Sequence, residues 1–156
     1  MFARRAYVAA VLLFLGACQS MQIDDFADTT PEFVLEEYFA GETKGWGIFE
    51  DRFGNLRRQF VVDLTGDWDG TTLTLDERFD YADGEKDRRV WRVEKVGEDR
   101  YVGRADDVIG PAEGRVAGKA FTWTYEIDLN IQGHDVRVRF DDWMFLQPDG
   151  VVMNRA

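Results

Sequence analysis

Cysteine and histidine are almost missing from this chain, with one of each in 156 residues. A lone Cys excludes a disulfide within the chain, and the two residues together are too few for a Cys/His zinc site. Basic residues are in deficit: 19 Lys and Arg face 30 Asp and Glu, for a formal charge of −11. Such a surface has little with which to neutralise phosphates, so nucleic acid is excluded as a partner. No apolar run approaches the ~20 residues of a membrane-spanning helix. Neither G-x-S-x-G nor H-E-x-x-H occurs, which removes the nucleophile elbow and the helical zinc motif. The run Asp67-Trp68-Asp69-Gly70 starts like a calcium loop, but Thr71 and Arg78 occupy its fifth and twelfth positions. A hairpin turn is expected there instead. His134 lies in Gln132-Gly133-His134-Asp135 and reads as an exposed turn residue. No cofactor or metal is implied. What is plentiful is aromatic: 14% of the residues, with 5 Trp. Rings of that size need a core or a cavity to line, and the length suits one domain.

The N-terminus reads as an address. Arg4 and Arg5 lead into the apolar run 6–15, which has the size of a signal-peptide core. The run ends in Leu15-Gly16-Ala17-Cys18. This resembles the bacterial lipobox, in which cleavage precedes the Cys and its sulfur takes up diacylglycerol. The sole cysteine of the chain stands at the one position that motif requires. Residues 1–17 are therefore expected to be a lipoprotein signal peptide and Cys18 to carry the lipid. Acyl chains contribute about 0.8 kcal/mol per buried CH₂, so two or three hold a chain firmly on a membrane. Gln19 follows Cys18, where an Asp is the usual inner-membrane retention signal in enteric-type bacteria. The expected location is thus the cell envelope, on the outer membrane facing the periplasm. Residues 18–31 are polar, acidic and aperiodic, and read as a tether. Residues 32–156 form the expected domain.

That domain alternates with a period of two. In the segment 121–129, Phe121, Trp123, Tyr125, Ile127 and Leu129 share one face, and Thr122, Thr124, Glu126 and Asp128 share the other. This is the pattern of a half-buried strand. Residues 45–51 carry Trp46, Ile48 and Phe49, and residues 56–64 put Phe60, Val62 and Leu64 on one face. Leu73, Leu75, Phe79 and Tyr81 align next, then Trp91 with Val93, then residues 101–105. Val136, Val138 and Phe140 follow, with a further apolar stretch at 143–146 and a last one at Val151 and Met153. Asp-Gly pairs at 69–70, 83–84 and 149–150 punctuate the runs, and both residue types tolerate the positive φ of hairpin turns. Residues 33–39 could be a helical turn or an entry strand. About nine antiparallel strands with one apolar face must close or stack. Closure removes exposed edges, so an all-β, antiparallel, up-and-down barrel of the calycin or lipocalin-like kind is expected.

Several runs carry a family resemblance. They are Lys44-Gly45-Trp46-Gly47-Ile48-Phe49-Glu50-Asp51-Arg52, Phe79-Asp80-Tyr81-Ala82-Asp83-Gly84-Glu85 and Arg88-Arg89-Val90-Trp91. Ala105-Asp106-Asp107-Val108-Ile109-Gly110, Asp141-Asp142-Trp143-Met144 and Asn154-Arg155 complete the set. Together these resemble the DUF3833 family of bacterial lipoproteins over nearly the whole mature chain. The resemblance implies a lipocalin-like barrel on a lipid anchor. It also implies one further strand after the Asn-Arg pair, which this chain would lack, leaving closure of the barrel in question.

Five charges stand on the apolar face. Glu77 aligns with Leu75 and Phe79, Arg89 with Trp91, Asp107 with Ala105, Asp142 with Phe140, and Arg155 with Met153. A charge on an inward face must pair, reach water or meet a ligand. The expected pocket set is Trp46, Glu77, Phe79, Tyr81, Arg89, Trp91, Asp107, Trp123, Tyr125, Asp142 and Arg155. No catalytic residue is assigned. The leading expectation is a barrel holding a lipid or other apolar small molecule. The alternatives are a scaffolding lipoprotein with a protein partner and a carboxylate-dependent lipid-modifying enzyme.

Overall fold

The computed structural model describes residues 21–131 and 133–156. Nine strands run β1 Gly41–Glu50, β2 Leu56–Trp68, β3 Thr72–Tyr81, β4 Lys86–Lys95, β5 Arg100–Arg104, β6 Ala112–Ala117, β7 Ala120–Ile131, β8 His134–Leu146 and β9 Val152–Arg155. Each pairs antiparallel with the next, so the sheet order is the chain order. The meander curls into a nearly closed, lipocalin-like up-and-down barrel with one unsealed seam, between β1 and β9. The turns follow from their residues. At the β2–β3 hairpin the Asp69 carboxylate accepts the Thr71 and Thr72 backbone N–H groups, each at 2.8 Å, and Gly70 takes φ +100°. Those bonds account for the motif that resembled a calcium loop.

β7 adopts the expected register. Phe121, Trp123, Tyr125 and Ile127 are buried, while Thr122, Thr124 and Glu126 are only partly so. They meet Leu73, Leu75, Trp91, Val93 and Tyr101 in one core. One end of the barrel is plugged. Residues 33–39 resolve as a single helical turn, α1 (Leu35–Tyr38), with Phe33, Leu35 and Phe39 driven into the core. Glu36 is buried with them because it is fully engaged: the Lys95 ammonium and the Tyr101 hydroxyl each donate to it at 2.7 Å.

Four expectations need correction. The segment expected as a tether is laid on the barrel from Ile23 onward. A 3₁₀ turn, Ile23–Phe26, sets the Phe26 ring 5.3 Å from that of Phe145, and Arg115 bonds Asp24 at 2.9 Å. In β1 the inward residues are Gly45, Gly47 and Phe49, which leaves Trp46 and Ile48 outside. A Cβ on Gly47 would collide with the Phe60 ring, which already fills that space from β2. The two apolar stretches expected at 136–140 and 143–146 form one long strand, β8, whereas β6 was not anticipated. Finally, β9 is one residue out of the expected register: Arg155 lies opposite Trp143 and is exposed, while Asn154 lies opposite Met144.

Candidate functional site

The barrel encloses a cavity of about 610 Å³. Its walls come from the plug (Leu35, Phe39), from β2–β4 (Val62, Leu75, Phe79, Trp91) and from β7 and β8 (Trp123, Tyr125, Met144). An aromatic belt continues round the inner face. Phe79, Phe60, Phe49, Phe140 and Tyr125 touch in sequence with ring centroids 4.9–5.5 Å apart. The Phe49–Phe140 contact carries that belt across the gap from β1 to β8. Along the seam, the cavity reaches Thr43, Lys44 and Trp46 on one side and residues 150–154 on the other. Trp46 and Met153 there are 69% and 60% exposed, so this side communicates with solvent.

Three of the expected charges meet inside. Ladder pairing sets Glu77 on β3 directly opposite Arg89 on β4, and Asp142 on β8 opposite Trp123. The Trp91 indole N–H donates to Glu77 at 3.1 Å, and the Tyr125 hydroxyl faces Asp142 Oδ2 at 3.5 Å. Asp142 is 7% exposed, and its Oδ1 has no hydrogen-bond partner among the described residues. Just beyond the end of β5, Asp107 pairs with Arg89, which donates to it from Nε at 3.0 Å and Nη2 at 2.7 Å. The Arg89 side chain is 14% exposed against 46% for Asp107. Asp107 sits in the turn after β5, so it clasps Arg89 from the rim and is not an inward strand residue. The guanidinium also lies 5.7 Å from the Trp91 ring and 5.6 Å from that of Tyr125.

The environment moves the protons. Burial pushes the Glu77 carboxyl up to about 7, against the pull of the Arg89 charge and the Trp91 bond. Burial likewise raises Asp142 to about 7, and the Glu77 charge adds to it. The Tyr125 phenol is driven well above its ordinary value by burial and then by Asp142. Burial works against the Arg89 cation, but the Asp107 hydrogen bonds and the surrounding negative charge hold it above its usual value.

Of the expected pocket set, Glu77, Phe79, Arg89, Trp91, Trp123, Tyr125 and Asp142 border the cavity. Tyr81 stacks on Phe79 with centroids 5.8 Å apart and lies beneath the Arg58 guanidinium, 3.4 Å from its centroid. Trp46 borders the cavity only from its exposed seam position, and Arg155 takes no part. The expected pocket set left out Phe49, the plug residues and Phe60, although Phe60 stood on the apolar face of its strand; in β1 Phe49 carried no alternation signal because its inward neighbours are glycines. Among the described residues no group of three or more His, Cys, Asp or Glu is placed to hold a metal ion. Cys18, Leu15, Gly16 and Ala17 lie outside the described residues.

Fold and site together define an up-and-down β-barrel with an aromatic, internally charged cavity. The chain matches, over residues 12–156, the family described as proteins of unknown function DUF3833, and it belongs to that family. No curated protein and no solved structure matches it.

Proposed function

We propose that this is a lipid-anchored protein of the bacterial envelope whose barrel holds a lipid or another apolar small molecule. One observation carries the reading: a cavity of about 610 Å³, walled by aromatic and aliphatic side chains, with a few polar groups converging on one region. Ligand sites typically have this size and this composition. A barrel filled by its own side chains would offer no such space. The anchor would be Cys18, after removal of residues 1–17, on the outer membrane facing the periplasm. The docked 3₁₀ turn then makes the leash short. Five Cα–Cα steps separate Cys18 from Ile23, a reach of roughly 17 Å when fully extended. The barrel would ride close to the lipid surface.

The test is native mass spectrometry of the protein extracted gently from its host, paired with binding of the neutral dye N-phenyl-1-naphthylamine. A co-purified apolar adduct, displaced by the dye, is expected. A bare protein that takes up no dye overturns the reading. A protein partner is favoured by a different observation, the exposed apolar strip of Trp46, Ile48, Phe53 and Leu56 on and just beyond β1. Acid–base chemistry on a lipid would draw on Glu77 and Asp142, but no activated nucleophile accompanies them among the described residues.

A further inference from the structure

We propose that the cavity selects an amphiphile ending in an ammonium group, with the cation seated at Asp142 and Glu77 and the apolar body among the aromatic rings. This rests on the ligand-binding reading above and names the ligand class. The first argument is an unmet bond. Asp142 Oδ1 is buried and unpartnered among the described residues, on a side chain that lines the cavity. A buried acceptor without a donor is costly, and a ligand N–H would supply one.

The second argument is charge balance. Glu77, Asp142 and Asp107 surround a single guanidinium, Arg89, whose Nε and Nη2 are already given to Asp107. The other cation at the cavity wall, Lys44, bonds Asp63 at 2.8 Å and lies at the seam. An anionic headgroup would therefore meet two carboxylates and, among the described residues lining the cavity, only cations already paired with carboxylates. A hydroxyl would satisfy Oδ1 but leave the excess negative charge. An ammonium does both, since it carries three donors and a positive charge.

The third argument is the wall. Trp91 and Tyr125 flank the carboxylates and already hold the Arg89 guanidinium within 5.7 Å of their rings, so this wall suits a cation. Their rings stand 5.3 Å apart, edge to face.

The groups facing the seat are Glu77 on β3, Arg89 on β4 with its clasp Asp107 after β5, Tyr125 on β7 and Asp142 on β8, whose neighbour Asp141 points to the outer face. Since a cation needs ionised acceptors, its binding should tighten from pH 5.5 to pH 8. The experiment titrates the purified full chain at pH 8 with decylamine, decan-1-ol and decanoate, read by tryptophan fluorescence. Comparison with Asp142→Asn removes any contribution from detergent partitioning. Decylamine should bind at least about tenfold more tightly than decanoate and several-fold more tightly than decanol. Asp142→Asn should weaken decylamine about tenfold and leave decanol within about twofold. Glu77→Gln should weaken decylamine in the same direction. Decanol or decanoate matching decylamine overturns the ammonium assignment while the apolar-ligand reading stands. So does an Asp142→Asn protein that binds decylamine as the wild type does. Failure of all three probes overturns both.

Discussion

Asp142 and Glu77 are acids placed where their charged forms are costly, and both have their pKa pushed up to about 7. The unfolded chain would ionise them near the ordinary value of about 4. Between those limits the native state holds protons that the unfolded state has released. Stability from these two groups is therefore fully present below about pH 4 and is lost as pH rises through about 7. Asp76, Asp83 and Asp128 are held below their usual range by arginine partners, so they titrate at lower pH and outside this window. Asp142→Asn removes the buried charge and keeps an oxygen for Tyr125. At about 1.4 kcal/mol per pKa unit, it should raise stability at pH 8 by a few kcal/mol and change it little at pH 4. Thermal melts of both proteins across that range check this, and a mutant that loses stability at pH 8 contradicts it.

At the scale of elements, glycine decides how the strands nest. Gly103 on β5 and Gly114 on β6 leave the room that the Trp123 ring occupies. A Cβ on either would lie 2.5 or 2.6 Å from that ring. Gly114→Ala should therefore destabilise by about 1–3 kcal/mol, because the added Cβ would press on two buried rings at once, Trp123 at 2.6 Å and Phe121 at 2.7 Å. Gly97→Ala meets only ordinary contact with Arg100 and serves as the comparison, within about 1 kcal/mol of wild type. Urea unfolding of the two variants separates them. The same crowding explains why β6 was not anticipated from the sequence. Its run Ala112-Glu113-Gly114-Arg115-Val116-Ala117 shows no strong apolar alternation, because its inward space is filled by rings belonging to β7. In β1 the effect was worse: Trp46 and Ile48 look like core residues, while the inward sites are the glycines beside them.

For the whole molecule, the docked 3₁₀ turn and the seam govern how the barrel meets its surroundings. Phe26 packs on Trp143 and Phe145, Thr29 Oγ1 accepts the Lys119 N–H, and the Phe33 N–H donates to the Gly118 carbonyl, so the chain leaves the barrel beside β8, at the same end as the plug. On the lipoprotein reading, that face lies toward the membrane, within the reach of the four residues between Cys18 and Ile23. Cys18→Ser should abolish metabolic labelling with an alkyne palmitate and leave the precursor uncleaved. Labelling that persists in the variant refutes the anchor.

The alternation of β7 and β3, the Asp-Gly turns and the inward set Glu77, Arg89 and Asp142 were legible in the amino-acid order. These are local properties: a period of two assigns a face, and a charge on that face is conspicuous wherever the strand ends up. Tertiary structure alone decided the rest. It gave the Gly45 and Gly47 sites to the barrel interior, slid β9 so that Arg155 faces outward, folded residues 23–26 onto the wall and moved Asp107 to a clasping turn. It also left Asp142 Oδ1 buried without a partner among the described residues. Each of these depends on which neighbouring side chain reaches a given space first, and that is fixed by strand pairing between segments far apart in the chain.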